Sequence, residues 1–110
     1  MIIDFKDIKE VKINGFKGGQ GELDTRNFVD GKIKIMKSIL KPGACSGLHT
    51  HEGNCEVMYI LKGELTYHYD GKIEVAHAGQ VHYCPMGHNH YFENLTNEDV
   101  EYLAIVPEHH

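Results

Sequence analysis

Apolar and polar residues alternate over short runs along most of the chain, whereas the 3.6-residue period of an amphipathic helix is almost absent. In residues 32–40, for example, Ile33, Ile35 and Ile39 are an even number of positions apart, so they lie on one face of a strand. Glycines, Asp-Gly pairs and asparagine-rich segments separate the runs. The pattern therefore predicts an all-β protein made of short strands.

About eight to ten strands fit the chain at close spacing. Asp30-Gly31 and Asp70-Gly71 are strong signals for tight hairpin turns between consecutive strands. Strands that follow one another without helices between them are typical of an antiparallel sandwich or barrel and not of βαβ units. The predicted strands cover residues 9–13, 22–29, 32–40, 56–61, 64–69, 72–76, 81–84, 90–95 and 100–106.

Length and charge narrow the class of protein. A chain of 110 residues fits one domain, and its net charge is −5, from 11 Lys and Arg against 16 Asp and Glu. Because no basic run is present, we expect neither nucleic acid nor an anionic membrane as a partner. No apolar run has the length of a membrane span and the N-terminus lacks the layout of a signal peptide, so we expect a cytoplasmic protein.

Cysteine use argues against a disulfide framework and against a thiolate zinc site. The chain has three cysteines, Cys45, Cys55 and Cys84, which is an odd number, and it contains no Cys-x-x-Cys pair. We therefore expect three reduced thiols that pack as small apolar groups.

Three histidines and one glutamate are candidates for a metal site. His49 and His51 are separated by one residue, so on a strand they point to the same face roughly 6.5–7 Å apart and can reach one ion. Glu56 follows after Gly53-Asn54 and can add a carboxylate. His90 is distant in sequence and can join only if the sheet closes on itself. Because a single His-x-His pair is more often incidental than not, the case depends on all four residues.

Such a set of three nitrogens and one oxygen suits a divalent transition metal ion, whether Mn, Fe, Co, Ni, Cu or Zn. A six-coordinate ion would keep two positions for water, dioxygen or a substrate. Three neutral imidazoles and one carboxylate leave the ion with a net charge of about +1, which favours an anionic ligand such as a carboxylate. The lack of thiolate ligands argues against structural zinc of the finger type.

The four residues belong to two longer gapped patterns. The first reads Gly43-x5-His49-x-His51-x4-Glu56-x6-Gly63. The second reads Gly79-x5-Pro85-x-Gly87-x2-His90-x3-Asn94. Fifteen residues separate the patterns, and together they cover residues 43–94, about half of the chain. Both patterns resemble the two signature motifs of the cupin superfamily, and the chain resembles a small single-domain cupin of the cupin 2 type.

The resemblance implies one cupin domain over residues 1–110, folded as a double-stranded β-helix, or jelly-roll barrel, with the metal inside. It gives the role of metal ligand to His49, His51, Glu56 and His90. It also implies a small-molecule ligand or substrate.

Five further residues are candidates for substrate binding. Met58 and Ile60 share strand parity with Glu56, and Phe92 shares parity with His90, so these three either line the cavity or form ordinary barrel core. His68 would act as a base near the metal if its face is the barrel interior, but parity alone does not choose the face. Arg26 is the only arginine and is either a bidentate clamp for an anionic substrate or a solvated strand residue.

The remaining polar residues of interest are expected to have structural roles. His77 and His88 lie beside turn glycines, and His82 is expected at the surface or in a turn. Asn94 is expected to form hydrogen bonds near a strand end and not to bind the metal.

Two functions stay open. The first is a metal-dependent enzyme that acts on a small polar or anionic molecule, as a dioxygenase, decarboxylase or isomerase. The second is a non-catalytic module that binds a metal or a small ligand for sensing or storage, since a fold does not decide function. The full ligand set favours the enzyme.

A homodimer is expected on two grounds. Small single-domain proteins that resemble this one are commonly dimers, and open sheet edges are protected when two subunits pair. The strand before Gly15 has no evident partner within the two motifs, so we expect it to pair with or pack on a second subunit.

Overall fold

The computed structural model describes residues 1–109, which form ten strands and two short 3-10 helices, Phe5–Asp7 and Phe16–Gly18. No helix among these residues is long and apolar enough to cross a membrane. The nine predicted strands recur with ends shifted by at most two residues, and a further strand of two residues, His49–Thr50, was not predicted. The strands are β1 (Val11–Asn14), β2 (Glu22–Val29), β3 (Ile33–Leu40), β4 (His49–Thr50), β5 (Glu56–Lys62), β6 (Glu64–Tyr69), β7 (Lys72–His77), β8 (Val81–Cys84), β9 (Asn89–Glu93) and β10 (Val100–Pro107).

Two antiparallel sheets build the barrel. The larger sheet has the strand order β1-β2-β3-β10-β5-β8, and the smaller has the order β4-β9-β6-β7. Along β10 every second residue is buried, as expected for a strand with one face on a core and one face outside. The prediction of an all-β jelly roll is confirmed.

The core lies between the inner faces of the two sheets. Met58 and Ile60 of the larger sheet and Tyr67 and Phe92 of the smaller sheet are among its most buried side chains. The full core cluster consists of Leu23, Leu40, Ala44, Met58, Ile60, Leu65, Tyr67, Ala76, Phe92, Val100, Tyr102 and Ala104.

The cysteines are unpaired in the described part of the chain. Cys55 and Cys84 are buried, and Cys45 is half-buried. Packing as free thiols in the barrel, as expected from the sequence, suits their small apolar side chains.

The first strand has a partner within its own chain. β1 pairs with β2 in the register that begins at Val11 opposite Thr25 and ends at Asn14 opposite Glu22. β1 thus has a partner within its own chain, and it stands at the edge of the larger sheet, so the expected contact of this strand with a second subunit stays a prediction. The sequence motifs missed the pairing because β2 lies outside both of them.

The glycine-rich segment between β1 and β2 packs against the loop that precedes β4. A Cβ atom on Gly47 would lie 1.8 Å from the carbonyl oxygen of Lys17, and one on Gly19 would lie 2.0 Å from the carbonyl oxygen of Cys45. The amide of Gly47 donates a hydrogen bond to the carbonyl of Phe16 at 3.0 Å. Glycine at positions 19 and 47 therefore permits a close backbone contact that fixes this segment.

The side chain of Asn94 joins the end of β3 to the loop before β10. Its Nδ2 donates to the carbonyl oxygens of Leu40 at 2.9 Å and Glu98 at 2.7 Å, and its Oδ1 accepts from both the amide and the hydroxyl of Thr96. The residue is fully buried. Its role in the described structure is to close the loop before β10.

Replacing Asn94 by alanine should lower the free energy of unfolding by about 2–4 kcal/mol, because the buried carbonyl of Leu40 and the part-buried carbonyl of Glu98 lose their donor. Urea unfolding of the purified variant measures this loss. Asn97→Ala, at an exposed position of the same loop, should change stability by less than about 0.5 kcal/mol. Equal effects of the two substitutions would contradict the structural role of Asn94.

Candidate metal centre

The four candidate ligands come together between the two sheets. His49 and His90 are directly opposite each other in the β4–β9 pair. His51 follows β4 after one residue, and Glu56 is the first residue of β5 in the larger sheet. Glu56, His51 and His90 are buried, whereas His49 is half-buried. The set exists only because the two sheets close on each other.

The donor atoms are spaced like the ligands of one ion. His90 Nε2 lies 2.9 Å from His49 Nε2, 3.1 Å from His51 Nε2 and 3.0 Å from Glu56 Oε1. Glu56 Oε1 lies 3.3 Å from His51 Nε2 and 4.0 Å from His49 Nε2. Two adjacent ligands of a six-coordinate ion, each about 2.1 Å from it, lie about 3.0 Å apart. The arrangement fits a single metal ion.

The other nitrogen of each imidazole also has a partner. His49 Nδ1 donates to the carbonyl oxygen of Gly47 at 2.8 Å, and His51 Nδ1 donates to Oδ1 of Asn54 at 2.6 Å. With the hydrogen on Nδ1, the Nε2 lone pair of each ring points to the shared centre. A hydrogen-bond partner on the nitrogen away from the metal is the usual arrangement for metal-bound histidine.

The charges around the centre favour an ionised carboxylate. Burial by itself would raise the pKa of Glu56, but hydrogen bonds that His49, His51 and His90 donate when their Nε2 atoms carry a hydrogen hold this pKa well below its usual range. The hydrogen bond to Glu56 raises the pKa of His51, and burial lowers the pKa of His90. At neutral pH the centre therefore offers an anionic oxygen among imidazole nitrogens, which suits a cation.

A cavity of about 450 Å³ opens next to the ligands. His49, His51 and Glu56 line it, and two lysines, Lys17 and Lys34, contribute positive charge to the same lining. Lys17 has φ of 52°, which a lysine rarely adopts, and the close contact with Gly47 accounts for its position. The other lining residues are Phe16, Asn27, Val29, Met36, Thr50, Glu52, Asn54 and Val106.

Three of the candidate substrate residues lie in or beside the core. Met58 and Ile60 are fully buried, and the Met58 sulfur accepts a hydrogen bond from the Tyr67 hydroxyl at 3.4 Å. Phe92 is also buried, and with Glu56 it lines a small inner void of about 20 Å³. The structure thus places Met58 and Ile60 as ordinary barrel core, the alternative that their parity left open.

Arg26 and His68 do not reach the site. Arg26 Nη1 donates to the carbonyl oxygens of Ile8 at 2.6 Å and Phe5 at 3.3 Å, so the guanidinium binds the N-terminal segment. His68 stacks on Tyr91 and pairs with Glu93 at 2.6 Å. Because Tyr67 faces the interior, its strand neighbour His68 faces out.

His82, which was expected at the surface or in a turn, lies inside the barrel. It is buried in β8, and its Nε2 lies 3.1 Å from Nδ1 of His90. Burial lowers the pKa of His82 to about 4. Strand alternation could have predicted this burial, because His82 lies on the same strand face as Cys84, which was expected to pack inside. His77, in contrast, is exposed and pairs with Glu64, in agreement with its expected surface position.

Comparisons with known proteins agree with this geometry. A family model described as Cupin domain matches residues 36–106. An oxalate-binding protein of Thermotoga maritima is 34% identical over 112 residues, which cover 96% of this chain and 93% of that protein. The oxalate decarboxylase OxdC of Bacillus subtilis is 31% identical over 98 residues, which cover 79% of this chain and 24% of the decarboxylase.

A solved structure shows the same fold over nearly the whole chain. It is described as a predicted oxalate decarboxylase from Thermotoga maritima, and it is 33% identical to this chain. The superposition covers 98% of this chain and 99% of that one, with a TM-score of 0.90. Together with the family match over residues 36–106, this likeness shows that the chain belongs to the cupin family.

Proposed function

We propose that the protein holds one divalent transition metal ion through His49, His51, Glu56 and His90 and binds a small carboxylate of the oxalate type beside it. The observation that carries the proposal is the convergence of four donor atoms within 4.8 Å of one another. The oxalate-binding relative, which this chain matches over nearly its full length, supports the class of ligand.

The charge of the cavity supports an anionic ligand. A divalent ion with one carboxylate and three neutral imidazoles keeps a net charge of about +1. Lys17 and Lys34 add two ammonium groups to the same cavity, and the Lys17 charge acts on His51, whose pKa it lowers against the larger effect of Glu56. A volume of about 450 Å³ is in the usual range for small-molecule sites, so an acid of the size of oxalate fits.

Each group has a separate task in this proposal. A bound ion would supply Lewis-acid polarisation of a carboxylate oxygen. Asn54 and the Gly47 carbonyl orient two of the imidazoles, and Glu56 balances part of the positive charge. The lysines attract the anion and hold the part of it that faces the cavity opening.

Decarboxylation is the second candidate, as in the decarboxylase that matches part of this sequence. Conversion of oxalate to carbon dioxide and formate breaks the C–C bond and consumes one proton, which must reach the carbon of the new formate. Glu52 lines the cavity beside the metal ligands and offers a carboxyl group for that transfer. Dioxygenase and isomerase activities stay predictions from the family resemblance.

The outer face of the larger sheet supports a homodimer. Tyr59 is directly opposite both Leu103 and Val81 in neighbouring strands, which makes an apolar row across β10, β5 and β8. Tyr59, Val81 and the nearby Tyr83 are each about half exposed. We infer that a second copy covers this row, because paired sheet faces of identical subunits bury such surfaces symmetrically.

Metal affinity should fall as pH decreases from 8 to 5, because each imidazole must lose its proton before it binds the ion. The raised pKa of His51 means that this competition begins above the ordinary histidine pKa of about 6.5. For each proton that the ion must displace, the dissociation constant should increase about tenfold for every pH unit of decrease. Titration of metal-free protein with Co²⁺ or Mn²⁺ at several pH values measures it.

Two variants control this titration. His51→Ala should bind the ion weakly at every pH, and elemental analysis of protein purified without a nickel column should show about one ion per chain in the wild type and a loss in the variant. His77→Ala, which removes a surface imidazole, should behave like the wild type. An affinity that is constant between pH 5 and pH 8 would contradict binding by the histidines.

Oxalate should bind to the manganese-loaded protein at a ratio of about one per chain, and calorimetry measures this binding. Lys17→Gly should weaken it about tenfold, since a charge-assisted contact is worth about 1.5 kcal/mol. Glycine tolerates the positive φ of this position, so the substitution removes the ammonium without straining the backbone.

Lys17→Arg keeps the charge and should retain most of the affinity. Formate release from oxalate, measured on the same samples, separates the two candidate functions, because a binding protein releases none. If metal-loaded protein shows no heat with oxalate and the pH titration still shows metal binding, the metal site stands and the oxalate ligand is wrong.

Light scattering should give about twice the chain mass of 12.5 kDa. Tyr59→Glu should shift the mass to that of the monomer, because a charge would be buried in the apolar row. Val75→Glu, at an exposed apolar position of the smaller sheet, is the matched control and should leave the dimer intact. A monomeric wild type at working concentration would overturn the dimer.

A further inference from the structure

A buried histidine lies behind His90, on the side away from the other ligands. His82 comes from β8, and its Nε2 is 3.1 Å from Nδ1 of His90. Its ring stacks on Tyr67 with centroids 3.7 Å apart and planes inclined by 16°. Only 5% of His82 is exposed, so this imidazole occupies a core position that an apolar side chain could fill.

The hydrogen-bond direction between the two imidazoles follows from the geometry. His90 Nε2 faces Glu56 and the other two ligands, so its lone pair must point there for metal binding. The hydrogen of His90 therefore sits on Nδ1, and His82 Nε2 must accept it. His82 in turn carries its hydrogen on Nδ1, which lies 3.5 Å from Oε1 of Glu74.

The contact that orients His90 differs in kind from those that orient the other two imidazoles. His49 and His51 are held by Gly47 and Asn54, which are two and three residues away in the sequence. His90 is held by a side chain from the opposite sheet. Its direction therefore depends on how the two sheets pack and not on a local turn.

A second cavity, of about 420 Å³, lies next to His82 and Glu74. Glu74 and His82 line it together with Tyr67 and Tyr69. It shares no lining residue with the cavity that contains His49 and Glu56. Neither His82 nor Glu74 lines the ligand cavity, so substitutions there act on the metal centre only through His90.

We propose that His82 is a positioning residue of the metal centre, which fixes the tautomer and the direction of His90 by accepting its Nδ1 hydrogen, and that Glu74 orients His82. This inference rests on the proposed metal binding of the four ligands. It extends that proposal by naming groups beyond the ligands on which affinity depends. Hydrogen-bond partners of metal-bound histidines typically contribute a factor of 10–100 to metal affinity.

The test uses Co²⁺ and Zn²⁺ alone, added to metal-free protein. His82→Phe keeps an aromatic ring against Tyr67 but has no acceptor, so we expect its metal affinity to fall about 10- to 100-fold. His82→Gln offers a side-chain oxygen as acceptor and should recover part of the loss. Glu74→Gln should weaken binding by a smaller factor, because Glu74 is largely exposed and its contact is longer. His77→Phe, a surface substitution on β7, should have no effect.

A spectroscopic measurement on the wild type needs no substitution and so does not depend on the variants folding. In the zinc-loaded protein, ¹⁵N NMR of the histidine side chains should show a protonated Nδ1 on His90 and an unprotonated Nε2 on His82. The Co²⁺ absorption spectrum should also change in His82→Phe, since a ligand that turns alters the coordination geometry.

Three results would overturn the inference. The first is an affinity of folded His82→Phe within threefold of the wild type, which leaves the metal site itself intact. The second is the opposite tautomer of His90 in the NMR spectrum. The third is failure of the wild type to bind either ion, which would remove the proposed function and the positioning role together.

Discussion

The site depends on the repulsion among four electron-rich atoms that share one small space. Three imidazole lone pairs and a carboxylate oxygen converge, and the hydrogen on each Nδ1 is engaged elsewhere. Such a set is unfavourable unless a positive charge, either a proton on one of the imidazoles or a metal ion, lies between its members. The cross-strand pair of His49 and His90, the turn that carries His51 and the first residue of β5 all serve to hold this arrangement.

Much of the fold was predictable because strand periodicity is a local property. Short β-prone runs marked most of the strands, and the hairpin signals at Asp30-Gly31 and Asp70-Gly71 mark true chain reversals. The two motifs also identified the four residues that cluster, since their spacing reflects the closed barrel. Strand β4 was missed because two residues carry no period.

The residues around the ligands were harder to predict, because parity gives alternation but not which face is inside. That ambiguity allowed His68 as a candidate, although it faces outward. Arg26 was a candidate as the only arginine of the chain, and its guanidinium binds the N-terminal segment. Lys17 was missed for another reason. Its position in the cavity lining follows from a contact with Gly47, thirty residues away in sequence. It also requires a positive φ, which the sequence pattern does not predict for a lysine. His82 would have been found had its shared face with Cys84 been used.

The shortness of β4 gives the metal a mechanical role. The ladder between this strand and β9 has only two residue pairs, with further backbone hydrogen bonds at Ser46 and His51, yet the strand and the turn after it supply His49 and His51, half of the ligand set. Glu56 and His90 belong to longer strands that the rest of the barrel already secures. A bound ion would join this edge strand to the larger sheet. At a free metal concentration of a hundred times the dissociation constant, it would stabilise the folded state by about 2.7 kcal/mol. Loss of the metal would remove the bonds that join His49 and His51 to Glu56 of the opposite sheet, so the stability of this edge would depend on the supply of metal.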